Sequence, residues 1–339
     1  MQPILIYGAG AIGGTAGAHM VRAGLPVLFV DRNAAHVEAM NRRGLTIQGP
    51  GGAFTVTVSA ALPEEIAGRV GAFREAFLCV KSQDTAAAAA EMAPLLAPDG
   101  YVVSLQNGLN EDEIDAAVGA GRTVAAFVNF SADLLEPGVI HYAGASKMAI
   151  GERDGTIGPR LRRVAWLLEP MQAVEVSANV DGYLWSKVAY GAMLFATAMT
   201  DATMAECVDH PRYRPVLLRL AGESCALARA QGIELYAFDG WDPGALDDPA
   251  AANAMMDALS AVMRRNTKVR SGVWRDLAVH HKRTEINEFV PLFALADRLD
   301  VPMPLTRLLV ERIHDLEEGR AERGFDNLEL LADAAGAGA

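Results

Sequence analysis

The chain has 339 residues, of which 51% are hydrophobic, so its length predicts two domains, each with enough apolar side chains for a core. The formal net charge of −12 argues against nucleic acid or an anionic membrane surface as the main partner. Three widely spaced cysteines, no long apolar span and no signal-like start predict a soluble, cytoplasmic protein with no membrane partner and no disulfide framework.

The first part of the chain alternates between short apolar runs and helical patterns. The predicted strands are 3–7, 26–30, 75–80, 101–105 and 123–130, and the predicted helices are 11–23, 34–44 and 85–96. Strands that alternate with helices at this spacing are typical of βαβ units with a mostly parallel sheet. We therefore expect an α/β domain of Rossmann type over residues 1–180.

The pattern changes from strands to helices after residue 150. Residues 136–151 predict two last short strands around a glycine turn, and residues 157–171 predict an amphipathic helix. Beyond residue 180, helical patterns continue and are interrupted at 209–215 and 238–253. We expect an all-helical second domain over 181–330 and a disordered tail over 331–339.

A glycine-rich segment, GAGAIGG, follows the first strand and opens the first helix. Its glycines have the GxGxxG spacing of loops that bind a dinucleotide. In such loops the glycines permit a tight turn, close approach of the pyrophosphate and close packing of helix on strand. The predicted cofactor contacts are Gly8, Ala9, Gly10, Ala11, Ile12 and Gly13. The alternative is a glycine-rich turn that binds no ligand.

Two residues after the second strand bear on the choice between NADH and NADPH. Asp31 ends the strand, where a carboxylate binds the ribose hydroxyls of NAD and repels a 2′-phosphate. Arg32 comes next, and its guanidinium can instead bind that phosphate, unless it is an ordinary surface arginine. Both are predicted cofactor contacts, and together they leave the choice open.

Two further loops follow predicted parallel strands, at the sheet edge where open α/β sheets bind ligands. VKSQDT (80–85) contains Lys81, which we expect to contact the cofactor or an anionic substrate group. LQNGLN (105–110) contains Asn107, whose amide is expected to form hydrogen bonds beside the nicotinamide and the substrate. By itself, however, a QNG segment is more often a turn.

One lysine interrupts a mostly apolar helical segment, GYLWSKVAYGAMLF (182–195). Lys187 is either a side chain that extends along the helix to reach water or a group with a chemical role. Taken alone, a lysine in such a segment is more often the side chain that reaches water.

Taken together, the segments resemble the ketopantoate reductase (2-dehydropantoate 2-reductase) family. The resemblance covers nearly the whole chain and rests on the order and spacing of GAGAIGG, VKSQDT, SLQNG, EPGVIHYAGASKMAIG, LWSKVAYGA and KRTEIN. It implies a Rossmann-type domain before a helical domain, NADPH as the hydride donor and a 2-oxo acid as the substrate. It also implies pantothenate biosynthesis and a homodimer. NADH remains an alternative because of Asp31.

The resemblance assigns the catalytic residues. Lys187 matches the lysine of the family's W-x-K segment, and Glu285 matches the acidic residue of its T-E-I segment. Because hydride delivery to a ketone leaves negative charge on oxygen, a lysine ammonium can stabilise that charge and donate the proton. Glu285 would then hold the lysine or bind a polar substrate group. The alternative for Glu285 is a surface ion pair with Lys282 or Arg283.

The predicted substrate contacts depart from the family pattern. Gly191 and Phe195 stand where the family usually has asparagines, on one helical stripe with Lys187. Ser271 is the nearest match to the family's carboxylate-binding serine. Asp276 lies one residue farther from Glu285 than the corresponding aspartate does in the family pattern. Since a site that loses hydrogen-bonding partners changes its specificity, we expect a substrate with a bulkier or less polar tail.

Two other functions remain open. A dinucleotide-binding sensor without catalysis would share the first domain, but the presence of both Lys187 and Glu285 argues against it. A dehydrogenase of the opine or hydroxyacid type would need a histidine as acid and base.

His280 and His281 are adjacent and would point about 100° apart on a helix, so we predict no metal site there.

Overall fold

The computed structural model describes residues 2–265 and 269–337, and the chain divides into two compact units, Met1–Val180 and Asp181–Ala339. The strands of the first unit are β1 (Ile4–Tyr7), β2 (Val27–Val30), β3 (Leu45–Gly49), β4 (Gly52–Val56), β5 (Ser59–Ala61), β6 (Phe73–Leu78), β7 (Leu96–Ser104), β8 (Thr123–Val128), β9 (Ala132–Glu136), β10 (Val139–Tyr142), β11 (Met148–Gly151) and β12 (Glu175–Val176). Its helices are α1 (Ala11–Arg22), α2 (Ala34–Arg43), α3 (Pro63–Ile66), α4 (Thr85–Met92), α5 (Glu111–Val118) and α6 (Pro159–Leu168), with 3₁₀ turns at Ser82–Asp84 and Ala93–Leu95.

Eight strands form the main sheet, in the spatial order β12-β11-β8-β7-β6-β1-β2-β5. All neighbouring pairs are parallel except β11 and β8. The chain moves outward from β1 to β2 and β5, and then resumes on the other side of β1 with β6. Because the strand order reverses there, the carboxyl ends of β1 and β6 flank the crevice in which such sheets bind ligands. The predicted α/β fold is confirmed.

The central strands are buried on both faces, which explains their continuous apolar runs. Along β1, Ile4 and Ile6 belong to one core cluster and Leu5 to the other, because successive side chains point to opposite faces. The first cluster includes Met20 of α1 and Leu161 of α6, and the second includes apolar residues of α4 and α5. The sheet edge that carries the loops is therefore held by cores on both sides.

A second sheet, in the order β4-β3-β10-β9, was not predicted. Its strands β3 and β4 border a glycine turn, β3 is only partly buried and β4 has no buried residue, so the periodic signal is weak. The two strands expected within 136–151 are present as β10 and β11, but they lie in different sheets. The small sheet packs on α1, where Ile140 lies directly against Gly14.

The second unit is helical in its described part, with one isolated bridge between Phe238 and Trp241. Its helices are α7 (Val180–Ala198), α8 (Met204–Asp209), α9 (Arg214–Ala230), α10 (Pro249–Arg265), α11 (Gly272–Arg275), α12 (Val290–Arg298), α13 (Pro304–Glu317) and α14 (Asp326–Ala337). Further turns are 3₁₀ helices at Pro243–Asp247 and Ile286–Phe289 and a π-helix at Asp276–His280. Among the described residues, no helix meets the length and apolarity that a membrane crossing requires.

Two predicted irregular segments differ from the structure. The break expected over 238–253 ends earlier, because α10 begins at Pro249, a residue type that suits the first helical turn. Residues 331–337, expected to be disordered, form the end of α14. Leu328, Leu331 and Ala335 are buried at helical spacing, and this apolar stripe holds the helix in place. Residues 338–339 of the expected tail lie outside the described residues.

Candidate active site

The glycine-rich loop lies between β1 and α1, at the switch point of the sheet. Gly8 has a φ of +96°, and a Cβ on it would lie 2.8 Å from the backbone carbon of Cys79. A Cβ on Gly13 would lie 2.2 Å from the carbonyl oxygen of Gly8, whereas a Cβ on Gly10 would meet nothing within 4 Å. The outer glycines therefore permit close packing, and the middle one leaves the loop open to a ligand.

The first turn of α1 is suited to an anion. Its N-cap is Gly10, which has no side chain to cap the helix, and its first turn carries no acidic residue. The N–H groups of Ala11 and Ile12 belong to the end of the helix where the backbone dipole favours negative charge. Residues 8–13 thus have the backbone geometry and charge that hold the pyrophosphate of a dinucleotide.

A buried histidine that the sequence did not single out supports this loop. Nδ1 of His36 accepts a hydrogen bond from the N–H of Gly138 (3.0 Å), so the proton resides on Nε2, which lies 2.9 Å from the carbonyl oxygen of Ala9. His36 therefore ties the glycine loop to the start of β10. Its place on the buried face of α2 was the only sequence signal, and that signal also fits an ordinary core residue.

Asp31 and Arg32 follow β2 at the same sheet edge. Oδ1 of Asp31 accepts a hydrogen bond from the backbone N–H of Asn33 (2.9 Å), which orients the carboxylate at the start of α2. The guanidinium of Arg32 forms an ion pair with Asp84, from the 3₁₀ turn after β6. The side chain of Arg32 is 72% exposed, so this pair is worth less than about 1 kcal/mol and a stronger anion can displace Asp84.

Lys81 and Asn107 follow neighbouring strands, β6 and β7. Lys81 is exposed at the N-terminus of the turn Ser82–Asp84, and Asn107 is exposed in the loop before α5. Buried Gln106 joins the two loops, because its amide donates to the carbonyl of Val80 (2.9 Å) and to the hydroxyl of Thr85 (2.7 Å). Gln106 is a positioning residue that sequence reasoning missed.

The second unit places Lys187 in the middle of α7. This helix is apolar on nearly all sides and is buried accordingly. Aromatic contacts hold it, since Tyr190 meets Phe238 and Trp241 at 5.9 Å and Phe195 meets Phe289 at 5.6 Å between ring centres. Lys187 itself is half-buried, so its ammonium does not simply extend into bulk water.

Burial has an electrostatic consequence for this lysine. Desolvation lowers the pKa of Lys187 to about 8, and the carboxylates of Glu288 and Glu285 oppose that shift. A lysine whose pKa lies near neutrality can release a proton and recover it during turnover. This behaviour is expected of a proton donor and not of a lysine that reaches solvent.

Glu285 is the N-cap of the 3₁₀ helix Ile286–Phe289 and is half-buried. The preceding residue, Thr284, is held by Glu317 of α13, whose Oε1 accepts from the N–H (2.6 Å) and the hydroxyl (2.7 Å) of Thr284. The Glu317 side chain is only 1% exposed, and sequence reasoning missed its role. Arg283, one of the two alternative partners of Glu285, contacts Glu318 at 3.5 Å.

A third charged residue, Glu288, joins this set and was also missed. It lies three residues after Glu285 and acts electrostatically on both Lys187 and Glu285. Desolvation raises the pKa of Glu288 to about 8, Glu285 adds to the rise, and Lys187 opposes it. The spacing of the two glutamates in a 3₁₀ turn was visible in the sequence, but nothing there indicated a 3₁₀ turn.

The predicted substrate contacts on α7 differ from each other. Gly191 follows Lys187 by one helical turn and leaves a gap, because the nearest atom to a Cβ there would be Oε1 of Glu288, at 3.8 Å. Phe195 is 4% exposed and packs edge-on against Phe289. Its ring therefore belongs to the packing of α7, and Gly191 is the member of the stripe with open space beside it.

Ser271 is buried and caps the short helix α11, since its hydroxyl oxygen accepts from the N–H of Trp274 (3.2 Å). Arg270 donates to the backbone carbonyl of Asp201 and lies over the ring of Trp274. After α11 the chain forms the π-helix Asp276–His280. A π-turn holds one residue more than an α-turn.

The neighbouring histidines lie where the π-helix ends. His280 and His281 are both exposed, and His281 has a left-handed backbone conformation with φ of 49°. Within residues 2–265 and 269–337, no group of three or more histidine, cysteine or acidic side chains is arranged to hold a metal ion.

Two family models match the chain. Residues 4–155 match "Ketopantoate reductase PanE/ApbA", and residues 179–317 match its C-terminal counterpart. The 2-dehydropantoate 2-reductase of Archaeoglobus fulgidus is 28% identical over 94% of this chain and 99% of its own length. That of Pyrococcus horikoshii is 26% identical over 90% of this chain and 94% of its own length.

Solved structures agree with these matches. A PanE/ApbA family ketopantoate reductase from Ralstonia eutropha has a TM-score of 0.79 at 27% identity, over 94% of this chain and 99% of the other. D-mandelate dehydrogenase, in a complex with NADH and anilino(oxo)acetate, has a TM-score of 0.80 at 20% identity, over 94% and 98%, and shares the fold. The chain is an NAD(P)H-dependent oxidoreductase that acts on CH–OH groups, and it belongs to the ketopantoate reductase family.

Proposed function

We propose that the protein reduces a 2-oxo acid to the 2-hydroxy acid and that Lys187 is the proton donor. The observation that carries the proposal is a half-buried lysine whose pKa is lowered to about 8. This lysine interacts electrostatically with Glu285 and Glu288. A sensor without catalysis would have no use for a lysine kept close to its titration point.

The residues divide the chemistry between them. The bound nicotinamide supplies a hydride, which is added to the carbonyl carbon of the substrate. The ammonium of Lys187 stabilises the negative charge that develops on the carbonyl oxygen, and its proton completes the hydroxyl group. Glu285 keeps the lysine protonated through its negative charge, which raises the pKa of Lys187. Asn107 would bind near the nicotinamide and the substrate.

NADPH is the proposed hydride donor, with NADH as a second one. Residues 8–13 would hold the pyrophosphate, and Lys81 would add a positive charge. Arg32 would leave Asp84 for the 2′-phosphate of NADPH, because the exposed ion pair is weak and the phosphate is the stronger anion. Asp31 would accept from the ribose hydroxyls of NADH instead.

A panel of 2-oxo acids, run with NADPH and with NADH, tests the reaction and the cofactor together. We expect turnover of at least one 2-oxo acid, with a higher kcat/KM for NADPH. The absence of turnover with every acid and both cofactors would contradict the proposed reaction.

The cofactor preference can be shifted by one carboxyl group. Asp84→Asn releases Arg32, so we expect a several-fold increase in the kcat/KM ratio of NADPH to NADH. Arg32→Ala should decrease that ratio, and Asp99→Asn is a matched control because Asp99 forms a comparable surface ion pair with Arg74. An unchanged ratio in both Asp84→Asn and Arg32→Ala would show that Arg32 does not bind the 2′-phosphate.

We further propose a homodimer in the cytoplasm that acts on a small-molecule substrate. The ketopantoate reductase of Staphylococcus aureus, with a TM-score of 0.69 at 16% identity, is described as dimeric. Light scattering after size-exclusion chromatography measures the mass directly. A mass near 36.0 kDa would identify a monomer and contradict the dimer.

A further inference from the structure

Two carboxylates of the second unit lie on one face of a single turn. Glu285 caps the 3₁₀ helix Ile286–Phe289, and Glu288 follows three residues later. Glu285 acts electrostatically on Glu288, so the two carboxyl groups lie close to each other. Both act on Lys187, which makes the set one positive and two negative groups when all three are ionised.

The Glu288 carboxylate stands at the gap in α7. Among the described residues outside the neighbouring backbone of α7, its Oε1 is the atom that lies within 4 Å of the position that a Cβ of Gly191 would occupy, at 3.8 Å. Gly191 follows Lys187 by one helical turn, so this gap is next to the proton donor. Phe195 of α7 packs edge-on against Phe289 of the 3₁₀ helix, so an apolar contact joins the same two segments.

The Glu288 side chain interacts electrostatically with Lys187 and Glu285, and within residues 2–265 and 269–337 no hydrogen bond or salt bridge to its carboxyl group is found. It is only partly exposed, and desolvation raises the pKa of Glu288. A carboxylate taken out of water without a partner costs free energy, and such a group in a folded protein usually has a ligand or a reaction to serve.

We propose that Gly191 and Glu288 form a subsite for the tail of the substrate, and that this subsite selects a 2-oxo acid whose tail ends in a hydrogen-bond donor, with ammonium preferred over hydroxyl. The inference rests on the proposed reduction of a 2-oxo acid. An ammonium group would stabilise the ionised form of Glu288 and pair with it, a hydroxyl would donate one hydrogen bond, and a methyl group would leave the carboxyl group without a hydrogen bond.

This assignment reverses the expectation of a less polar tail. At position 191 the sequence lacks the amide that the family usually has, which suggests that polar recognition is lost. The structure brings a carboxylate from a different segment to the same gap. A carboxylate accepts hydrogen bonds and carries charge, so the polarity of the subsite is retained and its preferred ligand changes.

The test compares three acids of equal length with the full-length wild-type protein: 2-oxopentanoate, 4-hydroxy-2-oxobutanoate and 4-amino-2-oxobutanoate. They end in methyl, hydroxyl and ammonium groups. We expect kcat/KM to increase in that order, with about a 10- to 100-fold advantage of ammonium over methyl, the range for a hydrogen bond to a charged group. Because the tail does not react, the advantage should appear mainly in KM.

Substitutions assign the preference to Glu288. Glu288→Gln keeps the shape and an acceptor oxygen, so the ammonium advantage should fall to a few-fold or less while hydroxyl stays ahead of methyl. Glu288→Leu should make the methyl acid the best of the three. Glu311→Gln removes an exposed carboxylate of α13 outside the charged set and should keep the wild-type order.

The outcomes separate the two proposals. Equal kcat/KM for the three acids in the wild-type protein, or an order unchanged in both Glu288 variants, would overturn the subsite and leave the reduction intact. No turnover of these three acids or of the wider panel would overturn the reduction and the subsite with it. The wild-type comparison decides the question even if a variant fails to fold.

Discussion

The glycine loop of the first unit and the lysine helix of the second unit reach their chemistry by different routes. The loop uses backbone: a tight turn at Gly8, an open side at Gly10 and the uncapped start of α1. The lysine helix uses side chains, because Lys187 depends on two glutamates from a segment about 100 residues later in the chain. A contiguous motif can be recognised in the sequence, whereas a set gathered from distant segments depends on the fold.

The largest effect should come from the lysine. Lys187→Ala removes the proposed proton donor, so we expect kcat to fall by roughly 10²- to 10⁴-fold, with cofactor affinity nearly unchanged. Steady-state kinetics and a cofactor titration measure the two quantities. Lys282→Ala, which removes an exposed ammonium of the same unit, serves as the control. Activity that survives Lys187→Ala would refute the mechanism.

The glycine loop can be separated into packing and binding roles by two alanine substitutions. At Gly13 a Cβ would overlap the carbonyl oxygen of Gly8, so Gly13→Ala should destabilise the fold by about 1–3 kcal/mol. At Gly10 the position is open, so Gly10→Ala should leave the melting temperature unchanged and weaken cofactor binding by about tenfold or more, because the methyl group occupies the path of the pyrophosphate. Thermal unfolding without cofactor and a fluorescence titration with it make the comparison.

Should Gly10→Ala bind the cofactor as tightly as the wild type, the backbone approach assigned to that glycine would be wrong. Equal stability of Gly13→Ala and the wild type would instead contradict the close packing between Gly13 and Gly8.

The pH dependence tests the charged set around the lysine. The proton donor must be protonated, and burial lowers the pKa of Lys187 to about 8, so reduction should be fast below pH 8 and fall about tenfold per pH unit above it. The pH at which the rate begins to fall reports the coupled titration of Lys187, Glu285 and Glu288 and not that of the lysine alone. Since Glu288 raises the pKa of Lys187, Glu288→Gln should move this fall in rate to lower pH. A fall in rate that begins only near pH 10 would contradict the lowered pKa of Lys187.

The smallest effect should come from Ser271. Its hydroxyl caps α11, so Ser271→Ala should lower stability by about 1 kcal/mol, which a shift in the unfolding midpoint detects. If the serine also binds the substrate carboxylate, KM will rise with little change in kcat. Thr55→Ala is a control for loss of a hydroxyl, because Thr55 contacts Thr46 in the small sheet of the other unit.

The elements that could be predicted from the sequence are those with a local pattern of their own. The strands β1, β2, β6, β7 and β8 were predictable because they are short continuous apolar runs between helices. The strands β3 and β4 were missed because they are half exposed and contain glycine. The end of α14, from residue 331, was missed because its alanine- and glycine-rich sequence does not look like a helix until Leu331 and Ala335 are seen to be buried.

The sequence by itself determined the α/β class, the glycine loop, the position of Lys187 and the resemblance to ketopantoate reductases, because each depends on local pattern or on a contiguous motif. Only the tertiary structure decided what surrounds Lys187. The 3₁₀ turn brings Glu288 beside Glu285, and the packing of that turn on α7 places its carboxylate over Gly191. The fold sets distances between segments far apart in the chain, and the proposed choice of substrate depends on those distances.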